Sequence, residues 1–265
     1  MNKKIAIIGG GNLGVAIAEG LIKSGFTQPG NIIVTKRNIQ TLSELEKKGV
    51  PVSNNNNEAV KEADLVILAV KPFQIKDVLL GIKDELKPEK QVLVSVVTGV
   101  LIKDMQEWVG TEMPIVRAMP NTAIAIQESM TCICSKGVGA EQLDYVDAIF
   151  NQLGKVVLIE EKLMDASTVL GACGIAYALR YIRASIQGGI EIGFDAKTAT
   201  LIAAQTVNGA AELLLQTGRH PEQEIDKVTT PKGCTIAGLN EMEHQGFSSS
   251  LIKGIATSYN KIVKG

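Results

Sequence analysis

The chain has 265 residues, 45% of them hydrophobic, and a formal net charge of −1. That length suits one large domain or two smaller ones, and the composition is enough for a substantial core. The near-neutral charge excludes a general electrostatic attraction to nucleic acid or to an anionic membrane surface, so any anion site must be local.

No basic N-terminal region leads into an apolar stretch, and no apolar run approaches membrane-spanning length. The expectation is a soluble cytoplasmic protein with no membrane partner. Cys132-Ile133-Cys134 is C-x-C, and His220 and His244 do not stand at metal-ligand spacing. No metal site is expected, and the cysteines read as reduced core residues.

Ile5 to Ile8 is a short apolar run of buried-strand type, followed by Gly9, Gly11 and Gly14 at G-x-G-x-x-G spacing and a small-residue helix from about Leu13 to Ser24. Each glycine has a task. Gly9 permits the strand-to-helix turn, Gly11 lets a pyrophosphate approach the backbone, and Gly14 lets the helix pack on the sheet. The pyrophosphate then sits on the free N–H groups of the helix start, around Asn12 and Leu13.

A second strand, Asn31 to Thr35, ends in Thr35-Lys36-Arg37-Asn38, with no carboxylate until Glu44. A carboxylate at this strand end would bond a ribose 2′-hydroxyl and repel a 2′-phosphate, whereas Lys36 and Arg37 attract one. NADPH is therefore expected ahead of NADH, which stays possible as an alternative cofactor.

Leu42 to Lys48 continues as a helix and Pro51-Val52 as a short strand. Asn54 to Asn57 suits N-capping of a helix starting near Glu58, and its amides can also reach the cofactor, Asn56 being the candidate. Asp64 to Val70 is an unbroken apolar strand stopping at Lys71-Pro72; a helix from about Phe73 to Glu85 follows. Then come a strand at Gln91 to Val97 ending at Thr98-Gly99, a helix at Leu101 to Val109, a strand at Pro114 to Arg117 and a turn at Met119 to Thr122. A strand near Ser129 to Cys134, a helix near Gln142 to Gln152 and a strand near Lys155 to Ile159 complete this half.

The alternation is that of an α/β, Rossmann-type doubly wound sheet, whose ligands bind outside the carboxyl ends of the strands. Those ends add Ala69, Val70, Lys71, Pro72 and Asn121 to the cofactor candidates. Lys71 reads as structure of the cofactor loop.

From Lys162 the character changes, placing a dinucleotide-binding domain at residues 1–161 and an all-α domain at 162–265. Met164 to Gly193 and Ala196 to Thr217 read as long helices, His220 to Val228 as a shorter one, and Thr235 to Glu243 and Phe247 to Lys264 as the last two. The Ala196 to Thr217 helix is apolar nearly all round and needs burial. An intertwined homodimer through this half is the simplest way to supply it. Between helices, Val228 to Leu239 is a hydroxyl-rich loop, punctuated by Pro231 and Gly233, that runs straight into a helix. Its Thr hydroxyls and free N–H groups suit a substrate carboxylate; an N-cap by Thr230 or Thr235 with no ligand also fits.

Four motifs, in order and spacing, resemble the pyrroline-5-carboxylate reductase family over essentially the whole length. They are Ile8 to Gly14, Ala69 to Pro72, Arg117 to Thr122 and Val228 to Leu239. The resemblance implies an NAD(P)H-dependent oxidoreductase that reduces 1-pyrroline-5-carboxylate to L-proline, the last step of proline biosynthesis. It implies a helical dimerisation and substrate-binding domain, with dimers often assembled into rings. It also implies that N–H groups near Gly233, Cys234 and Thr235, with Thr229 and Thr230 beside them, hold the substrate carboxylate. Thr235, directly or through water, would hydrogen-bond the ring nitrogen and is the catalytic candidate.

Two departures stand out. The family usually has Pro-Gly-Gly where this chain has Pro231-Lys232-Gly233; lysine costs little there if φ is negative and is strained if φ is positive. The family usually has S-G-S-G-P-A-Y where this chain has Gly171 to Tyr177, losing both serines and the proline. The alternatives they leave are a reductase of a related cyclic imine and a catalytically weak NADPH-binding regulatory paralogue.

Overall fold

The computed structural model describes residues 3–264 and separates into two compact units, Met1–Cys173 and Gly174–Gly265. In the first unit, eight strands among the described residues form one sheet in the order β3-β2-β1-β4-β5-β6-β7-β8. The strands are β1 (Ile5–Ile8), β2 (Ile32–Thr35), β3 (Val52–Ser53), β4 (Leu65–Leu68), β5 (Val92–Ser95), β6 (Ile115–Met119), β7 (Ser129–Lys136) and β8 (Gly154–Leu158). All neighbours are parallel except β6 and β7, which run antiparallel with Arg117 opposite Cys134. Strand order reverses at β1, whose Ile5 to Ile8 pair in register with β2 on one side and β4 on the other, and the switch point between β1 and β4 is where this sheet opens a crevice.

The apolar runs are unbroken because both faces of the sheet are covered. Ile5 and Ile7 pack with Ile17, Leu21, Val34 and Phe150 on one face. Ala6 and Ile8 pack with Val66, Leu68, Leu79 and Met105 on the other. The covering helices are α1 (Asn12–Lys23), α2 (Ser43–Lys47), α3 (Asn56–Lys61), α4 (Ile75–Ile82), α5 (Ile102–Val109) and α6 (Ala140–Asn151). Helix α3 starts earlier than expected because Asn55 caps it, its side-chain oxygen accepting from the N–H groups of Asn57 and Glu58.

The expected continuous helix from Met164 is interrupted. After α7 (Met164–Ser167) one π-helical turn spans Thr168–Cys173 before α8 (Gly174–Glu191). These first turns stay with the sheet: Met164 and Val169 are buried, and the Gly171 carbonyl accepts from Asn121 Nδ2 at 3.2 Å. The first compact unit therefore runs on to Cys173, past the change in composition. The expectation that nothing approaches membrane-spanning length also needs correction. Taken together through that π-helical turn, the helical stretch Glu161–Glu191 is long and apolar enough to cross a membrane by length and composition alone.

The second unit holds α8 with α9 (Ala196–Thr217), α10 (Pro221–Val228), α11 (Cys234–His244) and α12 (Phe247–Lys264). Asp195 caps α9, accepting from the N–H groups of Lys197 and Thr198. The Tyr177 and Ser258 hydroxyls, 2.7 Å apart, tie α8 to α12. Within one chain α9 is not buried as its composition demands: only Ala199 and Ala203 are covered, while Leu201 is 70% and Leu215 69% exposed. Such a face requires a partner.

Candidate dinucleotide cleft and anion-binding turn

The first unit opens a cleft of about 780 Å³ over the carboxyl ends of β1, β2, β4 and β5. Gly9 to Leu13 form its floor, Thr35 to Asn38 with Asn54 and Asn56 one end, and Ala69 to Pro72 with Val96 to Thr98 the other. The turn is built as the glycine spacing requires. Gly9 has φ +113° and lies so near β4 that a Cβ would stand 2.5 Å from the Ala69 carbonyl oxygen. A Cβ on Gly14 would collide with the Gly9 carbonyl oxygen, which holds α1 against the turn.

Gly11 differs. A Cβ there would meet nothing within 4 Å, so the protein's own packing does not demand glycine. The open side is ligand space. Gly11 is also the N-cap of α1; no side chain caps that helix and its first turn carries no acid. Its leading N–H groups are free to receive a diphosphate. Gly9 and Gly10 do not join them, since both donate to the Thr35 carbonyl, at 3.1 and 2.7 Å.

At the β2 end Lys36 and Arg37 both line the cleft, and no Asp or Glu appears in its wall. The Thr35 hydroxyl donates to Asn56 Oδ1 at 2.6 Å. Lys71 opens the turn after β4, where its N–H donates to Gln74 Oε1 at 3.3 Å. Gly14 and Asn121 do not line the cleft. Asn121 is 8% exposed, and both ends of its amide are taken: Oδ1 accepts from Ala123 N–H at 3.0 Å while Nδ2 donates to Gly171. Thr98 lines the cleft and was legible only as a strand end.

The anion-binding candidates lie together in the second unit. The Thr229 hydroxyl is spent on the Ile225 carbonyl at 2.8 Å, closing α10. Gly233 N–H donates to the Thr230 carbonyl at 2.9 Å, so Thr230 to Gly233 is a β-turn with Pro231 and Lys232 in the middle. Lys232 has φ +60°. This is the strained case: a positive φ at the third position of a Pro-led turn is the type II geometry that glycine fills without cost. Gly233, whose added Cβ would stand 2.5 Å from Thr230 Oγ1, is the N-cap of α11, and no side chain caps that helix. The capping role expected of Thr230 or Thr235 is therefore not taken, which leaves the N–H groups from Cys234 onward, and the half-buried Thr235 beside them, available to an anion.

A doubly wound sheet with this glycine turn, joined to a helical unit bearing large apolar faces, defines a dinucleotide-binding protein of the oxidoreductase class. Residues 4–99 match the family model described as NADP oxidoreductase coenzyme F420-dependent, and residues 161–264 match pyrroline-5-carboxylate reductase dimerisation. Pyrroline-5-carboxylate reductase 2 of Dictyostelium discoideum is 42% identical, over 99% of this chain and 93% of that relative. Pyrroline-5-carboxylate reductase 1 of the same organism is 47% identical over 97% of this chain, which spans 49% of that relative's length. The crystal structure of Plasmodium falciparum pyrroline carboxylate reductase with NADP bound superposes with a TM-score of 0.88 at 28% identity, covering 98% of this chain and 97% of that one. The chain belongs to the pyrroline-5-carboxylate reductase family.

Proposed function

We propose that this protein reduces 1-pyrroline-5-carboxylate to L-proline with NADPH, using NADH less well. The observation that carries the reading is a pair of uncapped helix starts in one family member. One is at Gly11 beneath a cleft lined by Lys36, Arg37 and Lys71 and, among the described residues, by no carboxylate; the other is at Gly233 behind a Thr-rich turn. Bound NADPH would supply a hydride from nicotinamide C4 to the carbon of the C=N bond, and a proton completes the amine at nitrogen.

The protein's part is holding and orienting. N–H groups of Gly11, Asn12 and Leu13 hold the diphosphate, Lys36, Arg37 and Asn56 hold the 2′-phosphate, and Ala69 to Pro72 border the ring end. Gly9 and Gly14 shape the turn from behind, and Asn121, in the turn after β6, braces the site through its bonds to Ala123 and Gly171. N–H groups of Cys234 and Thr235 take the substrate carboxylate; Gly233, its own N–H held by the Thr230 carbonyl, shapes the turn as the N-cap of α11, and Thr229 anchors it to α10. Thr235 donates a hydrogen bond to the ring nitrogen that strengthens as the nitrogen becomes an amine.

The exposed apolar faces of the 162–265 domain support assembly into a homodimer, with dimers joining into a ring, and the match beginning at residue 161 supports that boundary. The four free cysteines support a cytoplasmic location. The test is NADPH oxidation on adding 1-pyrroline-5-carboxylate: Thr235→Ala should lower kcat/KM while leaving NADP⁺ affinity unchanged, and an unaltered kcat/KM would remove Thr235 from the reaction.

A further inference from the structure

The reversal of strand order at β1 divides the cleft into two halves, one over β1 and β2 and one over β4 and β5. A dinucleotide lies across such a switch point with one nucleotide in each half. Lys36 and Arg37, at the end of β2, mark the 2′-phosphate half, so the nicotinamide falls to the other. That wall is made of Ala69 to Pro72 after β4 and Val96 to Thr98 after β5. Among these residues only Lys71 and Thr98 have polar side chains. Thr98 and Gly99 are the exposed tip of a turn between buried Val97 and Val100, with Gly99 at φ +77°. Among the described residues the Thr98 hydroxyl has one partner, the Met119 sulfur at 3.9 Å. A thioether is a weak acceptor, so this contact leaves the hydroxyl's bonding capacity almost unused.

We propose that the Thr98 hydroxyl holds the carboxamide of the nicotinamide ring. This rests on the reading of the cleft as an NADPH site. A carboxamide offers one acceptor oxygen and an NH₂ donor. A hydroxyl both donates and accepts and so serves either end, whereas the Lys71 ammonium only donates. The side chains of Ala69, Val70, Val96 and Val97 give the ring an apolar wall and its carboxamide no bond. A carboxamide held in one place stops the ring from turning about its glycosidic bond, which keeps C4 aligned for transfer.

The experiment is calorimetric binding of three ligands to the wild-type protein, Thr98→Val and Thr98→Ser. The ligands are NADP⁺, its pyridine analogue, which has the ring without the carboxamide, and adenosine 2′,5′-bisphosphate, which has neither. Thr98→Val keeps the shape and loses the hydroxyl. It should weaken NADP⁺ about fivefold, the worth of one neutral hydrogen bond. The pyridine analogue and the bisphosphate should stay within about twofold of wild type, and Thr98→Ser should restore NADP⁺ binding. Unchanged NADP⁺ binding in Thr98→Val, equal weakening of all three ligands, or failure of Thr98→Ser to restore NADP⁺ would overturn the proposal. A wild-type protein that binds neither NADP⁺ nor the bisphosphate would instead overturn the reading of the cleft. If Thr98→Val does not fold, Thr98→Ala decides by the same comparison: unchanged NADP⁺ binding there contradicts the proposal.

Discussion

Glu161 and Arg117 join the start of the long helical stretch to the sheet. Glu161 Oε1 accepts from Arg117 Nη1 at 3.0 Å and from the Ile102 N–H, the first of α5, at 2.7 Å. Arg117 is 2% exposed, and its Nε and Nη2 find no other partner among the described residues. Removing the carboxylate leaves a buried guanidinium with nothing to pair, a change that costs more than the pair itself contributes. Glu161→Ala should therefore destabilise the protein by about 3 kcal/mol, lowering Tm by roughly 6–12 °C. Thermal denaturation decides; a loss under about 1 kcal/mol would mean that water already satisfies Arg117.

Gly11 and Gly14 should respond oppositely to the same methyl group. Gly11→Ala meets nothing and should keep a near-wild-type Tm while losing NADP⁺ affinity about tenfold or more, because the methyl occupies the diphosphate's space. Gly14→Ala drives a Cβ into the Gly9 carbonyl and should cost about 3 kcal/mol of stability. Paired melting and binding measurements separate the two; intact NADP⁺ binding in Gly11→Ala would contradict the assigned diphosphate position.

Lys232 holds a positive φ at a turn position where glycine carries no steric penalty. Lys232→Gly should raise stability by up to about 1 kcal/mol, the strain released less the added freedom of the unfolded chain. Denaturant unfolding measures it. A destabilised variant would show that the lysine side chain contributes more than its backbone strain costs.

Burial pushes the Cys134 thiol up to about 11 from its usual 9.0, with Arg117 pulling in the other direction. The folded protein thus keeps a proton that the unfolded chain releases near pH 9.0. Stability should fall as pH rises from about 9 towards 11, and Cys134→Ala should flatten that limb of the Tm–pH curve. Alkylation at mildly basic pH should modify exposed Cys234 in the native protein and Cys134 only after denaturation. Native labelling of Cys134 would contradict its burial.

Asp195 shows the reverse sign. The bonds it accepts from Thr198, hydroxyl and N–H, hold its carboxyl below its usual 3.8. Its contribution to α9 is present above pH 3.8 and is lost as pH falls through the lower folded value. Asp195→Asn keeps a capping oxygen and should melt less steeply with acid than the wild type; an identical acid limb would remove Asp195 from it.

What the sequence made legible was local. Ile5 to Gly14 declares strand, turn and helix within ten residues, because Gly9, Gly10 and Gly14 each answer a clash with their immediate surroundings and Gly11 keeps the ligand side open. Lys36 and Arg37 needed only the end of one strand. The rest depends on residues far apart in the chain. Thr35 and Asn56 meet because β2 and α3 do, and neither reads as a partner of the other in a linear string. Asn121 spends its amide on a π-helical turn that no period of apolar residues foretells. The φ of Lys232 is set by the turn between α10 and α11, so its residue type alone left both signs open.

The most direct measurement is the steady-state rate of NADPH oxidation with 1-pyrroline-5-carboxylate beside a six-membered cyclic imine carboxylate, with L-proline identified as product. Turnover should be fastest on the five-membered substrate, with NADPH preferred to NADH and kcat/KM reduced in Thr235→Ala. NADP⁺ binding without turnover of 1-pyrroline-5-carboxylate, or faster reduction of the six-membered imine, would contradict the assignment.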